Sequence, residues 1–127
     1  YARPMASWAA LLALSGFRYH GVKAEVEVKP LVRQDSFSSF WSTASGWGSF
    51  SSYLKQHRTH FALAVQFGHI KAASLHLAPS GTSSGPSSAM LGSRVLAHTV
   101  QHNENEIVIR FREELTIPAG EQLMVSL

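Results

Sequence analysis

Glu25 and Glu27 are the pair of carboxylates whose spacing could do chemistry, out of eight acidic residues in the sequence. Two positions apart on an extended chain, they share one face of a strand, about 7 Å from each other. An inverting glycosidase needs its acid and base about 6.5–9.5 Å apart, so the pair fits that reaction. Against it, both alternate with Val26 and Val28, and Lys23 and Lys29 flank them on the same face. That is how a solvated strand face reads, and it is the favoured reading. Glu113 and Glu114 point opposite ways if extended and read as strand-end charges.

Gly81-Thr-Ser-Ser-Gly85 matches the Gly-x-Ser-x-Gly pattern of a serine esterase, with Ser83 as its nucleophile. The pattern works where a strand delivers the serine onto a sharp turn that opens a helix. Here it lies inside a Pro/Ser/Gly/Thr stretch, where composition alone produces it. His98 and His102 follow, and a triad with one of them stays open as the alternative. Histidine is abundant, at seven residues. His57 and His60 are three apart, and His98 and His102 four apart; in a strand the latter two stand about 13 Å from each other. No His-Glu-x-x-His stands in the chain, and cysteine is absent, so no thiolate site and no disulfide can form. No metal or cofactor is expected.

Phe40, Trp41, Trp47 and Phe50 cluster among serines and glycines. Exposed rings of this kind stack on the apolar faces of pyranoses, with nearby hydroxyls fixing orientation. Phe40, Trp41 and Trp47 are therefore candidate carbohydrate contacts, while burial in a core seam is the favoured role.

The elements that would position these groups are legible in period. Residues 4–15 carry Met5, Trp8, Ala9 and Leu12 at helical spacing, opened by Pro4 and closed by Gly16, and predict one N-terminal helix. It is too short to cross a bilayer. A signal peptide is the rival reading, but only Arg3 precedes the apolar run. Beyond Gly16 the period becomes two. Strands are predicted over Val22–Val28, Phe61–Phe67, Ile70–Leu77 after a tight turn at Gly68-His69, residues 94–101, Ile107–Phe111, Leu115–Ile117 and Leu123–Leu127. Residues 79–93 read as a flexible loop. Short strands joined by turn signals predict a mainly β fold, an antiparallel β-sandwich with the helix packed on it.

A chain of 127 residues holds one domain with one core. Hydrophobic residues at 45% against 15% charged exclude a disordered chain. The formal charge of +3 is too small and scattered to argue for nucleic acid. No membrane partner is expected. The compartment stays open, with the cytoplasm favoured for want of a leader.

Four segments carry a resemblance. Tyr1-Ala-Arg-Pro-Met-Ala-Ser-Trp-Ala, Ala13-Leu-Ser-Gly-Phe-Arg-Tyr19, Phe37 followed by Phe40, and Ser45-Gly-Trp-Gly-Ser-Phe50 resemble the C-terminal end of bacterial glycoside hydrolases of family 116, related to the bile-acid β-glucosidases. The closing strands to Val125 look like the end of the same region. In that family the first segments close a helical catalytic barrel, and the Gly-Trp-Gly-Ser-Phe segment opens a β-rich tail. Both catalytic carboxylates sit upstream, so the resemblance carries neither onto this sequence. It implies an accessory domain, carbohydrate-related or structural, next to a catalytic barrel or paired with a second copy through the helix. The alternative is a small autonomous hydrolase, acting on a glycoside through Glu25/Glu27 or on an ester through Ser83 with a histidine.

Overall fold

Alternating apolar and polar residues build strands where the period predicts them, and also in the aromatic stretch where the sequence reading placed none. The computed structural model describes residues 14–30, 36–79 and 86–127. Its elements are β1 (Phe17–His20), β2 (Glu25–Val28), β3 (Ser36–Thr43), β4 (Gly46–Lys55), β5 (Arg58–Leu77), β6 (Ser88–Leu91), β7 (Arg94–Val95), β8 (His98–His102), β9 (Ile107–Pro118) and β10 (Gln122–Ser126). The chain is mainly β. No helical element stands among the described residues, and the helix expected over 4–15 falls, up to residue 13, outside them.

The organising element is β5, a single strand of 20 residues. Its first half pairs with β4 and β10; its second half pairs with β9 and, in parallel, with β2. One half of the sheet therefore runs β3-β4-β5-β10-β6-β7, the other β1-β2-β5-β9-β8. Gly68 sits at the changeover with φ of +73°, a conformation that costs glycine little. A side chain there would also collide with the carbonyl of Ser45. The expected turn at Gly68-His69 is thus a bend within one strand. Both sides keep their ladders, Gly46 opposite Gly68 and Pro118 opposite His69, so the chain changes partners without reversing.

The two halves share one core. Val26, Leu75, Ile109 and Ile117 come from one half, and Trp41, Phe61, Leu63, Leu123 and Val125 from the other. Phe17 stacks on both Trp41 and Phe50, with ring centroids 6.0 Å apart in each case. Two-layer packing was expected, but the layers are one continuous sheet folded over, and the β2·β5 ladder is parallel rather than antiparallel. After β2 the chain leaves that half, builds β3 and β4 in the other, and returns through β5 running the same way as β2.

Other expectations shift locally. Val22 is fully exposed in the turn before β2 instead of lying in the strand. Of the loop expected over 79–93, residues 80–85 lie outside the described set, and Ser88–Leu91 is a strand. Ala89 and Leu91 point into the core there and pair with β10. The β4–β5 connection is a two-residue turn, Gln56-His57, with both residues at positive φ. Such turns favour Asn and Gly, so nothing in Gln-His announced it.

Candidate functional site

Pairing register places the outward side chains of the β3-β4-β5-β10-β6 half in rows. Ser36, Tyr53, His60, Ser126 and Ser88 form the first; Ser38, Ser51, Ala62, Met124 and Met90 the second. Phe40, Ser49, Ala64 and Gln122 form the third, and Ser42, Trp47 and Phe67 the fourth. These four rows carry no Asp, Glu, Lys or Arg, but the next outward pair beside Tyr53 and His60 is Lys55 opposite Arg58. Small side chains in the second and third rows leave a trough of about 410 Å³, bounded by Ser38, Phe40, Ser49, Ser51, Ala62 and Gln122. Large side chains stand around it. Trp47 is 50% exposed and Phe67 opposite it 63%. At the other end Tyr53 stacks on His60 at 5.0 Å, and His60 Nδ1 meets Ser126 Oγ at 3.0 Å. Hydroxyls, one amide and nearby rings around a trough lined by no charged side chain suit a neutral ligand with both apolar and hydroxyl surfaces.

Local sequence explains which ring faces which way. Trp41 lies opposite Gly48 in β3·β4, and its Nε1 donates to the carbonyl of Ala64 at 3.0 Å. A Cβ on Gly48 would run into that carbonyl and crowd the indole nitrogen, so glycine makes room for the ring to cross β4. Trp41 is fully buried, and it drops out as a carbohydrate contact. Trp47, next to Gly48, faces outward, and Phe40 lies half-buried in the trough wall. The aromatic stretch thus divides between core and surface. The sequence reading missed Phe67, Tyr53 and Met124 and weighed His60 only as a partner of His57; the Ser-x-Ser alternation at Ser36-Ser38 and Ser49-Ser51 was the available signal for an outward face.

The other half carries a charged chain of contacts on its outer face. Glu27 stands opposite His76 and Glu25 opposite Ser74. Lys29 Nζ lies 2.9 Å from Glu27 Oε1 and 2.9 Å from Glu106 Oε2, and Arg18 Nε is 3.9 Å from Glu27. Glu106 Oε2 also accepts from His76 Nδ1 at 3.0 Å, and His76 Nε2 meets Ser74 Oγ at 3.1 Å. Burial works against the Lys29 ammonium, but its hydrogen bonds to Glu106 and Glu27 outweigh it and raise Lys29 above its ordinary value. Hydrogen bonds from Lys29 and then His76 hold the Glu106 carboxyl below its ordinary range.

Ser74, His76 and Glu106 have the connectivity of a hydrolase triad without its surroundings. Ser74 is only 4% exposed, and the N–H groups of Ala73 and Ser74 both point to the carbonyl of Ala24, so neither is free to hold an oxyanion. Lys29 also neutralises the carboxylate that would have to stabilise an imidazolium. Glu27, committed to Lys29 and Arg18, is not placed as a glycosidase acid or base; Glu25 lies on the same half-buried face. This chain braces β2 against β5 and the start of β9.

Ser83 lies outside the described residues. His57 is exposed in the β4–β5 turn, and His98 and His102 open and close β8. Among the described residues no three His, Asp or Glu side chains gather as metal ligands, and no helix is long and apolar enough to cross a membrane. Comparison with protein-family models, with curated proteins and with solved structures finds no match.

Proposed function

We propose that this chain is a non-catalytic accessory domain that holds a neutral glycan, of the kind associated with glycoside hydrolases. The observation that carries the reading is the trough on the outer face of β3-β4-β5-β10, lined by no charged side chain and with exposed rings in the neighbouring rows. Trp47 and Phe40 offer apolar surface to the C–H face of a pyranose, and Ser49, Ser51 and Gln122 offer hydrogen bonds to its hydroxyls. No cationic side chain lines the trough, which argues against uronic or sulfated sugars, since these need charge to replace their hydration. The resemblance of residues 1–50 to the tail of family 116 glycoside hydrolases supports the same class.

The test is retention on neutral polysaccharides in affinity gel electrophoresis, with calorimetry on soluble oligosaccharides. The unaltered protein is retarded by at least one neutral glycan, and Trp47→Ala and Phe40→Ala each lose the retardation while keeping their melting transition. Retardation unchanged in both variants, or none on any neutral glycan, overturns the reading.

A further inference from the structure

A third serine–histidine contact, beside Ser74–His76 and Ser126–His60, differs from the buried Ser74 pair in its access and its surroundings. His98, the first residue of β8, is held at both ring nitrogens. Nδ1 lies 2.9 Å from the carbonyl oxygen of Leu96, and Nε2 lies 2.9 Å from Ser87 Oγ. A carbonyl can only accept, so Nδ1 carries the proton. In the neutral ring Nε2 is then an acceptor, and the Ser87 hydroxyl must be the donor. The hydrogen-bond network therefore fixes the tautomer in which His98 can take the serine proton.

The scaffold holds this geometry from both sides. Ser87 immediately precedes β6, and the Leu96 N–H donates to Ala89 at 2.9 Å, pinning the link before His98 against the same strand. Both Ser87 and His98 are half-buried, so the hydroxyl is reachable where that of Ser74 is not. Beside them, an Arg58 Nη donates to the carbonyl of Pro86, one residue before the serine. The Nε of the same guanidinium is buried without a hydrogen-bond partner among the described residues. The Nη contact places a positive charge one residue from the serine.

We propose that Ser87 is a reactive nucleophile, with His98 as its base, that accepts the acyl group of short-chain esters. Ser87 Oγ bonds to the ester carbonyl carbon as its proton passes to His98 Nε2. The carbon–oxygen bond to the alcohol breaks, and the leaving oxygen takes that proton. Water, deprotonated by the same nitrogen, then cleaves the acyl-serine, releasing a carboxylic acid and restoring the hydroxyl. The site is independent of the glycan reading, because its ligand is an acyl group and Trp47 and Phe40 take no part.

The experiment treats the full chain with a fluorophosphonate probe and with p-nitrophenyl acetate, maps the adduct by peptide mass spectrometry, and repeats both on Ser87→Ala and His98→Gln. The expected result is one adduct, on Ser87, absent from Ser87→Ala and formed roughly a hundredfold more slowly in His98→Gln, in line with general-base contributions. No adduct on Ser87 under excess probe, or an equal rate in a folded His98→Gln, overturns the proposal. If His98→Gln does not fold, adduct mapping on the unaltered protein, with p-nitrophenol release lost in Ser87→Ala, decides the question.

Discussion

The indole nitrogen of Trp41 reaches across Gly48 to the carbonyl of Ala64, so one ring ties β3 to β5 over the backbone of β4. The contact works only because position 48 has no side chain. Gly48→Ala should therefore destabilise by about 1–3 kcal/mol or more, the cost of forcing extra carbon into a filled space. Trp41→Phe should lose a similar amount by leaving the Ala64 carbonyl without its donor. Denaturant melts of both variants test this. A neutral Gly48→Ala would mean that β4 can shift away from β5 without loss.

Trp47 and Phe67 stand opposite each other on the surface, and their removal should separate binding from folding. A cross-strand aromatic pair contributes about 0.2–1 kcal/mol, so Phe67→Ala should leave the melting transition nearly in place. If the fourth row bounds the glycan, Phe67→Ala should also weaken retention on the glycan that Trp47→Ala abolishes. Parallel thermal melts and affinity gels check both parts.

The Glu106 brace should show in the pH dependence of stability. Its folded carboxyl titrates below the ordinary value of 4.5, so its contribution is full above that pH and fades as pH falls through the lowered value. Glu106→Gln should cost about 1 kcal/mol at pH 7, near the upper end for a part-exposed ion pair, and the gap should close in acid. Lys29 behaves in the opposite sense. Its raised value keeps its contribution intact at neutral pH and loses it only as pH climbs beyond 10.5. Chemical denaturation from pH 3 to pH 8 follows the acid limb.

Gly68 should be nearly irreplaceable. Any other residue there takes on positive φ, at about 1–2 kcal/mol, and meets the Ser45 carbonyl as well. Gly68→Ala should lower the melting transition more than alanine at the open glycine Gly120, which has φ of +89° and no neighbour within reach of a Cβ. The pair of variants separates backbone strain from collision.

Much of the strand content was legible because alternation is local. Phe61, Leu63 and Val65 point inward as their spacing requires, and so do Leu123 and Val125. What could not be read was partnership. The parallel ladder of Glu25–Val28 with Ser74–Leu77 joins segments some fifty positions apart, and no periodicity encodes it. The fates of Trp41 and Trp47 were hidden for the same reason. Both sit among Ser and Gly, and only the β3·β4 register, which sets Trp41 against Gly48, sends one inward and leaves the other out. His98 was in view only as a partner for Ser83; Ser87 escaped notice because its contact with His98 depends on the β6–β8 connection, whereas a motif search lands on Ser83.

The placement of β10 between β5 and β6 sets a timetable for folding. β6 and β7 are made before β8 and β9 and pair with each other, yet β6 joins β5 only through β10, which follows all of them in sequence. Until residues 122–126 have been synthesised, the β6–β7 hairpin has no strand to join it to β5, and the inward side chains of Ala89 and Leu91 lack their neighbours in β10. A nascent chain halted before β10 should expose that edge, while its β4–β5 hairpin can already form.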